Sequence, residues 1–163
     1  MGRGAVVAAS SLSSLGSGDG IVIRIGLDSC ACVSIIPDHL FIDYPTRMSS
    51  GATYKTANGM TVTDGGSRQL VGWIRGSAKL KAINFRIGKI NRPLLAASEV
   101  TDRNYRVILD SGDGVDCSQI TNRVIGESLT VERLKGVYEI RMRVVPYAQA
   151  VLLLAQLANM DPL

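Results

Sequence analysis

The residues best suited to chemistry lie in Leu27-Asp28-Ser29-Cys30-Ala31-Cys32-Val33-Ser34-Ile35-Ile36-Pro37, where one carboxylate stands between two apolar runs. Ile21, Ile23 and Ile25 before it, and Val33, Ile35 and Ile36 after it, predict two short buried strands. Charged groups are rarely buried alone, because stripping water from a lone carboxylate costs more than a small fold supplies. Asp28 therefore calls for hydrogen-bond donors, a cation, or a second carboxylate that shares its proton.

The other reactive side chains form weaker sets. Cys30, Cys32 and Cys117 are an odd number, which predicts free thiols and a reducing, cytoplasmic setting. Together with His39 they offer enough donors for zinc, but Cys-x-Cys followed by one distant His and one distant Cys is a poor spacing. On an extended segment, Cys30 and Cys32 also point to opposite faces. No metal and no cofactor is expected. His39 sits in a loop beside Asp38 with no nucleophile placed against it, which argues against a Cys-His hydrolase. A second acidic loop, Asp110-Ser111-Gly112-Asp113-Gly114, lies between Tyr105–Leu109 and Val115–Ile120, and its repeated Asp-Gly predicts a hairpin tip.

The elements that must hold Asp28 are mostly strands. The chain has 163 residues, enough for one domain with its own core, and is 46% hydrophobic but only 5% aromatic, so Val, Ile, Leu and Ala must fill that core. Residues 1–20, rich in Gly, Ser and Ala, read as a flexible leader whose apolar piece is too short for a signal peptide. Residues 21–146 read as one all-β domain, and 147–163 as an apolar, helical tail. Thr53–Ala57 and Met60–Thr63 flank Asn58-Gly59, the dipeptide that favours a two-residue type I′ hairpin turn. Leu70–Ile74 and Leu80–Ile87 are predicted strands broken at Arg75-Gly76-Ser77. Pro93 suits a first helical turn, which predicts a short helix through Leu94, Leu95 and Val100. Thr130–Leu134 and Val137–Val145 form a last hairpin around Lys135-Gly136, with Tyr138, Ile140, Met142 and Val144 alternating against Glu139, Arg141 and Arg143.

The net charge of +4 is dispersed among Gly and apolar residues, and one Trp and two Phe give no visible stacking platform. The expectation is a soluble protein with no nucleic-acid partner. The apolar stretch Ala148–Asn159 falls short of the roughly twenty residues that cross a bilayer, so no membrane partner is expected either.

The Asp28 loop resembles the active-site loop of retroviral and retrotransposon aspartic proteases, the retropepsin-like family. That loop reads Asp-Thr/Ser-Gly-Ala/Ser followed by an apolar run and often Pro, matched here by Asp28, Ser29, Ala31, Val33, Ile35, Ile36 and Pro37. The hairpin about thirty residues later resembles that family's flap, and Ile87–Leu95 resembles the apolar strand and Pro-Leu-Leu segment before its helix. The resemblance implies a small closed β-barrel with a flap hairpin and one short helix, here with a C-terminal helix added. It implies an aspartic endopeptidase that processes extended peptides or a mobile-element polyprotein. Asp28 would be catalytic, with one Asp from each copy of a homodimer. Ser29 would brace the two loops, Ala31 would line the substrate side, and Ala57, Asn58 and Gly59 would bind substrate from the flap. Cys30 stands where the family has Gly, so the alternative expectation is a degenerate, non-cleaving domain for dimerisation or peptide binding.

Overall fold

The first strand, β1 (Ile21–Asp28), shows how the fold begins: Ile25 is fully buried, Ile23 half-buried and Ile21 exposed, so the strand enters the core as it runs toward Asp28. A computed structural model describes residues 20–48, 51–56, 59–110 and 116–155. The elements after β1 are β2 (Ile35–Pro37), β3 (Thr53–Lys55), β4 (Thr61–Thr63), β5 (Ser67–Ile74), β6 (Leu80–Gly88) and β7 (Leu94–Ala96). Then come α1 (Ala97–Asp102), β8 (Tyr105–Ile108), β9 (Gln119–Asn122), β10 (Ser128–Thr130), β11 (Glu132–Leu134), β12 (Val137–Val144) and α2 (Tyr147–Leu154).

Seven strands make one mixed sheet in the order β1-β7-β2-β6-β5-β12-β11, and β1 also pairs with β12, which closes the sheet into a ring. The all-β expectation holds at this level: the fold is mostly β, with two short helices among the described residues. Closure leaves β12 flanked on both sides, by β1 on one and by β11 and β5 on the other. The interior is aliphatic, as the composition requires, with Ile25, Ile36, Leu70, Ile83, Leu95, Ile140 and Met142 around Phe85 and Tyr105. Strands β8, β9 and β10 form a small separate sheet, and β3 pairs with β4 as a hairpin.

Several local expectations need correction. The segment after Pro93 does not open a helix: Leu94–Ala96 is strand β7, and α1 starts at Ala97. Leu and Ala carry helical propensity and Pro93 suits a first helical position, but this stretch pairs in parallel with β1, Gly26 against Leu94 and Asp28 against Ala96, and burial of Leu95 and Ala96 overrides the local preference. At the β3–β4 hairpin the Thr56 N–H donates to the Met60 carbonyl and the Gly59 N–H to the Thr56 carbonyl, with Gly59 in the left-handed conformation at φ +82°. Ala57 and Asn58 lie outside the described residues, as do Ser111–Val115. Strand β9 begins at Gln119, residues 116–118 before it being loop, and Val33 belongs to the loop before β2.

The Lys135-Gly136 hairpin, in contrast, is a two-residue turn with both residues at positive φ, +50° and +79°, as a primed turn requires. Helix α2 packs on the domain through Ala150 and Leu153, and Tyr147 meets the Tyr44 ring with centroids 5.2 Å apart. Among the described residues, no helix is long and apolar enough to cross a membrane. The charge is also less dispersed than it reads along the chain. Register places Arg24 opposite Arg141 and Arg143 opposite both Val22 and Trp73, which gathers arginines on one face of β1, β12 and β5.

Candidate functional site

Strand β7 is inserted between the two strands that the Asp28 loop joins. It pairs in parallel with β1 on one side and, through Ile35 and Leu94, antiparallel with β2 on the other. The chain therefore leaves β1 at Asp28, arches over β7, and returns as β2, which runs parallel to β6. Asp28 sits at the strand end, half-buried. Its Oδ1 accepts the N–H of Cys30 at 2.8 Å and of Ala31 at 3.2 Å, so the loop's own backbone supplies the donors that the carboxylate needs.

The loop is fixed from the opposite side by residues that the sequence reading did not single out. Ser34 is buried at 1% exposure, and its Oγ donates to Glu99 Oε2 at 2.6 Å while accepting the Ala96 N–H at 3.0 Å. The Ser34 N–H donates to the same Glu99 oxygen at 3.1 Å. Ser98 Oγ donates to the Ala31 carbonyl at 3.4 Å. Residues 96–99 thus clamp the arch at both its middle and its end. The available signal was Ser34 itself, a lone hydroxyl inside an apolar run, where burial demands a partner.

Ser29, Cys30 and Cys32 are exposed, and Ala31 is half-buried. The sulfur of Cys30 therefore has room within one copy of the chain. All three cysteines are exposed and outside any disulfide, and among the described residues no group of three or more His, Cys, Asp and Glu could hold a metal ion. His39 is exposed, its Nδ1 3.7 Å from Asp38. Asp110 lies exposed after β8, its carbonyl accepting the Cys117 N–H at 2.9 Å, which places it in the connection between β8 and β9.

The β3–β4 hairpin is seated beside the same sheet. Val62 of β4 is buried over Gly88, the end of β6, where a Cβ would lie 2.6 Å from Val62 Cγ1 and 3.4 Å from Ile35 Cγ2. Only a glycine allows the hairpin and β2 to meet at that point. The hairpin base is tied by the Asp64 N–H to the Ala52 carbonyl at 2.9 Å and by the Gly65 N–H to the Ile87 carbonyl at 2.8 Å. The buried carboxylate of Asp64 accepts the Gly66 N–H at 3.0 Å, and Arg86 lies 3.5 Å away. A groove of about 340 Å³ runs between β4 and the end of β6, lined by Thr61, Val62, Thr63, Ile87, Gly88 and Asp38 among others; Asp28 is not among its lining residues.

The chain matches no family model, no curated protein and no solved structure. The functional reading therefore rests on the site's residues. A half-buried carboxylate, presented at a strand end by two N–H donors in a clamped arch, can hold and polarise a water, or share a proton with a second carboxylate brought against it.

Proposed function

We propose that the chain is a retropepsin-like aspartic endopeptidase domain that works as a homodimer on extended peptides, including polyprotein junctions of a mobile element. The observation that carries this reading is the Asp28 carboxylate, held by the Cys30 and Ala31 N–H groups at the mouth of an arch locked by Ser34 and Glu99. One copy supplies one such carboxylate, so the dyad forms from Asp28 of two copies across a two-fold axis. Two carboxylates brought against each other share one proton. The charged member takes a proton from water, while the protonated member donates to the peptide carbonyl and later to the leaving amine. Ser29 braces the paired loops, Ala31 lines the substrate side, and the β3–β4 hairpin closes as a flap whose tip, Ala57, Asn58 and Gly59, bonds the peptide as an added strand.

A mixing experiment tests the two-copy dyad. Adding excess Asp28→Asn chain to the unaltered chain is expected to suppress peptide cleavage as mixed dimers form; cleavage unchanged by a variant shown to form mixed dimers contradicts a shared dyad.

A second reading is favoured by Cys30. Its N–H bonds Asp28 while its side chain lies at the loop surface, where a second copy would meet it. A sulfur there crowds the dyad water or the partner loop, leaving a domain that dimerises or binds peptide without cutting. Cys30→Gly raises cleavage under this second reading and leaves it unchanged under the first.

A further inference from the structure

The outward face of β1, β12 and β5 carries two cross-strand rows of a kind that no sequence window shows. The first row is Val22, Arg143 and Trp73, and the second is Arg24, Arg141 and Arg75, the last placed by its N–H bond to the Arg141 carbonyl at 3.0 Å. Like charges directly opposite one another destabilise a sheet. Here two glutamates relieve part of the repulsion. Glu132 pairs with Arg75 and, at 2.9 Å, with Arg141; Glu139 lies 3.6 Å from Arg24 and 3.7 Å from Arg92. Four guanidinium groups thus share two carboxylates, and Arg143 is a fifth, which leaves a local excess of three positive charges. Arg143 has no carboxylate within ion-pair distance among the described residues. It lies over the half-buried Trp73 ring, its guanidinium carbon 5.3 Å from the centroid. Between the rows runs an open groove of about 510 Å³.

We propose that this groove binds single-stranded nucleic acid. The charge excess calls for a polyanion, and its carriers are all arginine, the side chain whose planar fork pairs with phosphate oxygens and stacks on flat rings. Trp73 under Arg143 offers a stacking platform for a base, with Arg24, Arg75 and Arg141 one row away to take phosphates. An acidic peptide fits less well. Peptides gain most by adding a strand to a free sheet edge, whereas this groove opens on the face of β12, which pairs with β1 on one side and with β11 and β5 on the other. This inference stands apart from the proteolytic reading, since the groove contains neither Asp28 nor the hairpin.

The test is titration of the full chain with labelled oligothymidylate and oligouridylate of about sixteen nucleotides, followed by anisotropy and by the fluorescence of Trp73, the sole tryptophan. Binding of either strand with Trp73 quenching is expected, with a log–log salt slope of about −2 for three phosphates. Arg143→Glu is expected to weaken binding at least tenfold, and Arg143→Lys, which keeps the charge and the stem, by less; circular dichroism confirms that both variants fold. No binding at low salt, equal affinity in a folded Arg143→Glu variant, or equal competition by a polyglutamate of matched length overturns the proposal.

Discussion

Ser34 and Glu99 stand 65 residues apart in the chain, yet the Ser34 hydroxyl and amide both donate to one oxygen of Glu99. This contact ties the end of the Asp28 arch to helix α1 and fixes how the carboxylate is presented. Because the Ser34 hydroxyl also accepts the Ala96 N–H, its removal orphans a buried donor and takes one of two bonds from the half-buried Glu99 oxygen.

Ser34→Ala is therefore expected to lower unfolding stability by about 1–3 kcal/mol. Ser98→Ala, at an exposed hydroxyl, is expected to change it by less than about 0.5 kcal/mol. Urea unfolding of the two variants checks the contrast, and equal effects would remove Ser34 from its role as the clamp.

A second buried polar unit lies between β6 and the small sheet. Lys81 is fully buried, with Nζ 2.8 Å from Glu127 Oε2 and 3.0 Å from the Tyr105 hydroxyl, and Ser77 also bonds Glu127. Burial opposes the charge on Glu127, but the bonds from Lys81 and Ser77 outweigh it and hold its carboxyl below the usual range. The same balance, burial against bonds to Glu127 and Tyr105, leaves Lys81 above its usual range. The Glu127 contribution is thus present above about pH 4.3 and is lost as pH falls through its lowered value. The Lys81 contribution is present below about pH 10.4 and is lost as pH rises through its raised one. Glu127→Gln strands the buried ammonium and is expected to cost about 3–5 kcal/mol while flattening the acid limb. Pairing Lys81→Met with Glu127→Leu is expected to restore most of the loss. Urea midpoints measured across pH check both statements.

Tyr44 sets the alkaline limit of the α2 contact. Its hydroxyl donates to the Val145 carbonyl at 2.7 Å, and burial pushes its pKa up to about 12. The folded state therefore keeps a proton that the unfolded chain releases near pH 10, so this contribution is full below about pH 10 and fades toward pH 12. Ultraviolet titration is expected to show a late tyrosine ionisation from Tyr44. Tyr44→Phe is expected to remove that late step.

Gly88→Ala is expected to cost about 1–3 kcal/mol, because the new Cβ would fall 2.6 Å from Val62 Cγ1 and lift the hairpin from its seat. Val62→Ala in the same chain is expected to recover part of the loss. Thermal unfolding of the single and double variants measures the coupling.

What the sequence could show and what it could not divide along physical lines. Alternation along Tyr138, Ile140, Met142 and Val144 made β12 legible, and the Asp28 loop stood out because its carboxylate interrupts an apolar run. The strand at Leu94–Ala96 was hidden, because parallel pairing with β1 is set by residues some seventy positions away and not by local propensity. Glu99 was hidden for the same reason. The arginine face was invisible because Arg24, Arg75 and Arg141 become neighbours only through register.

The most direct test of the central claim is cleavage of a mixed peptide library between about pH 4 and pH 7, comparing the chain with Asp28→Asn. The account predicts cleavage by the chain and none by the Asn variant, with both folded and dimeric. No cleavage by either protein, or equal cleavage by both, contradicts it.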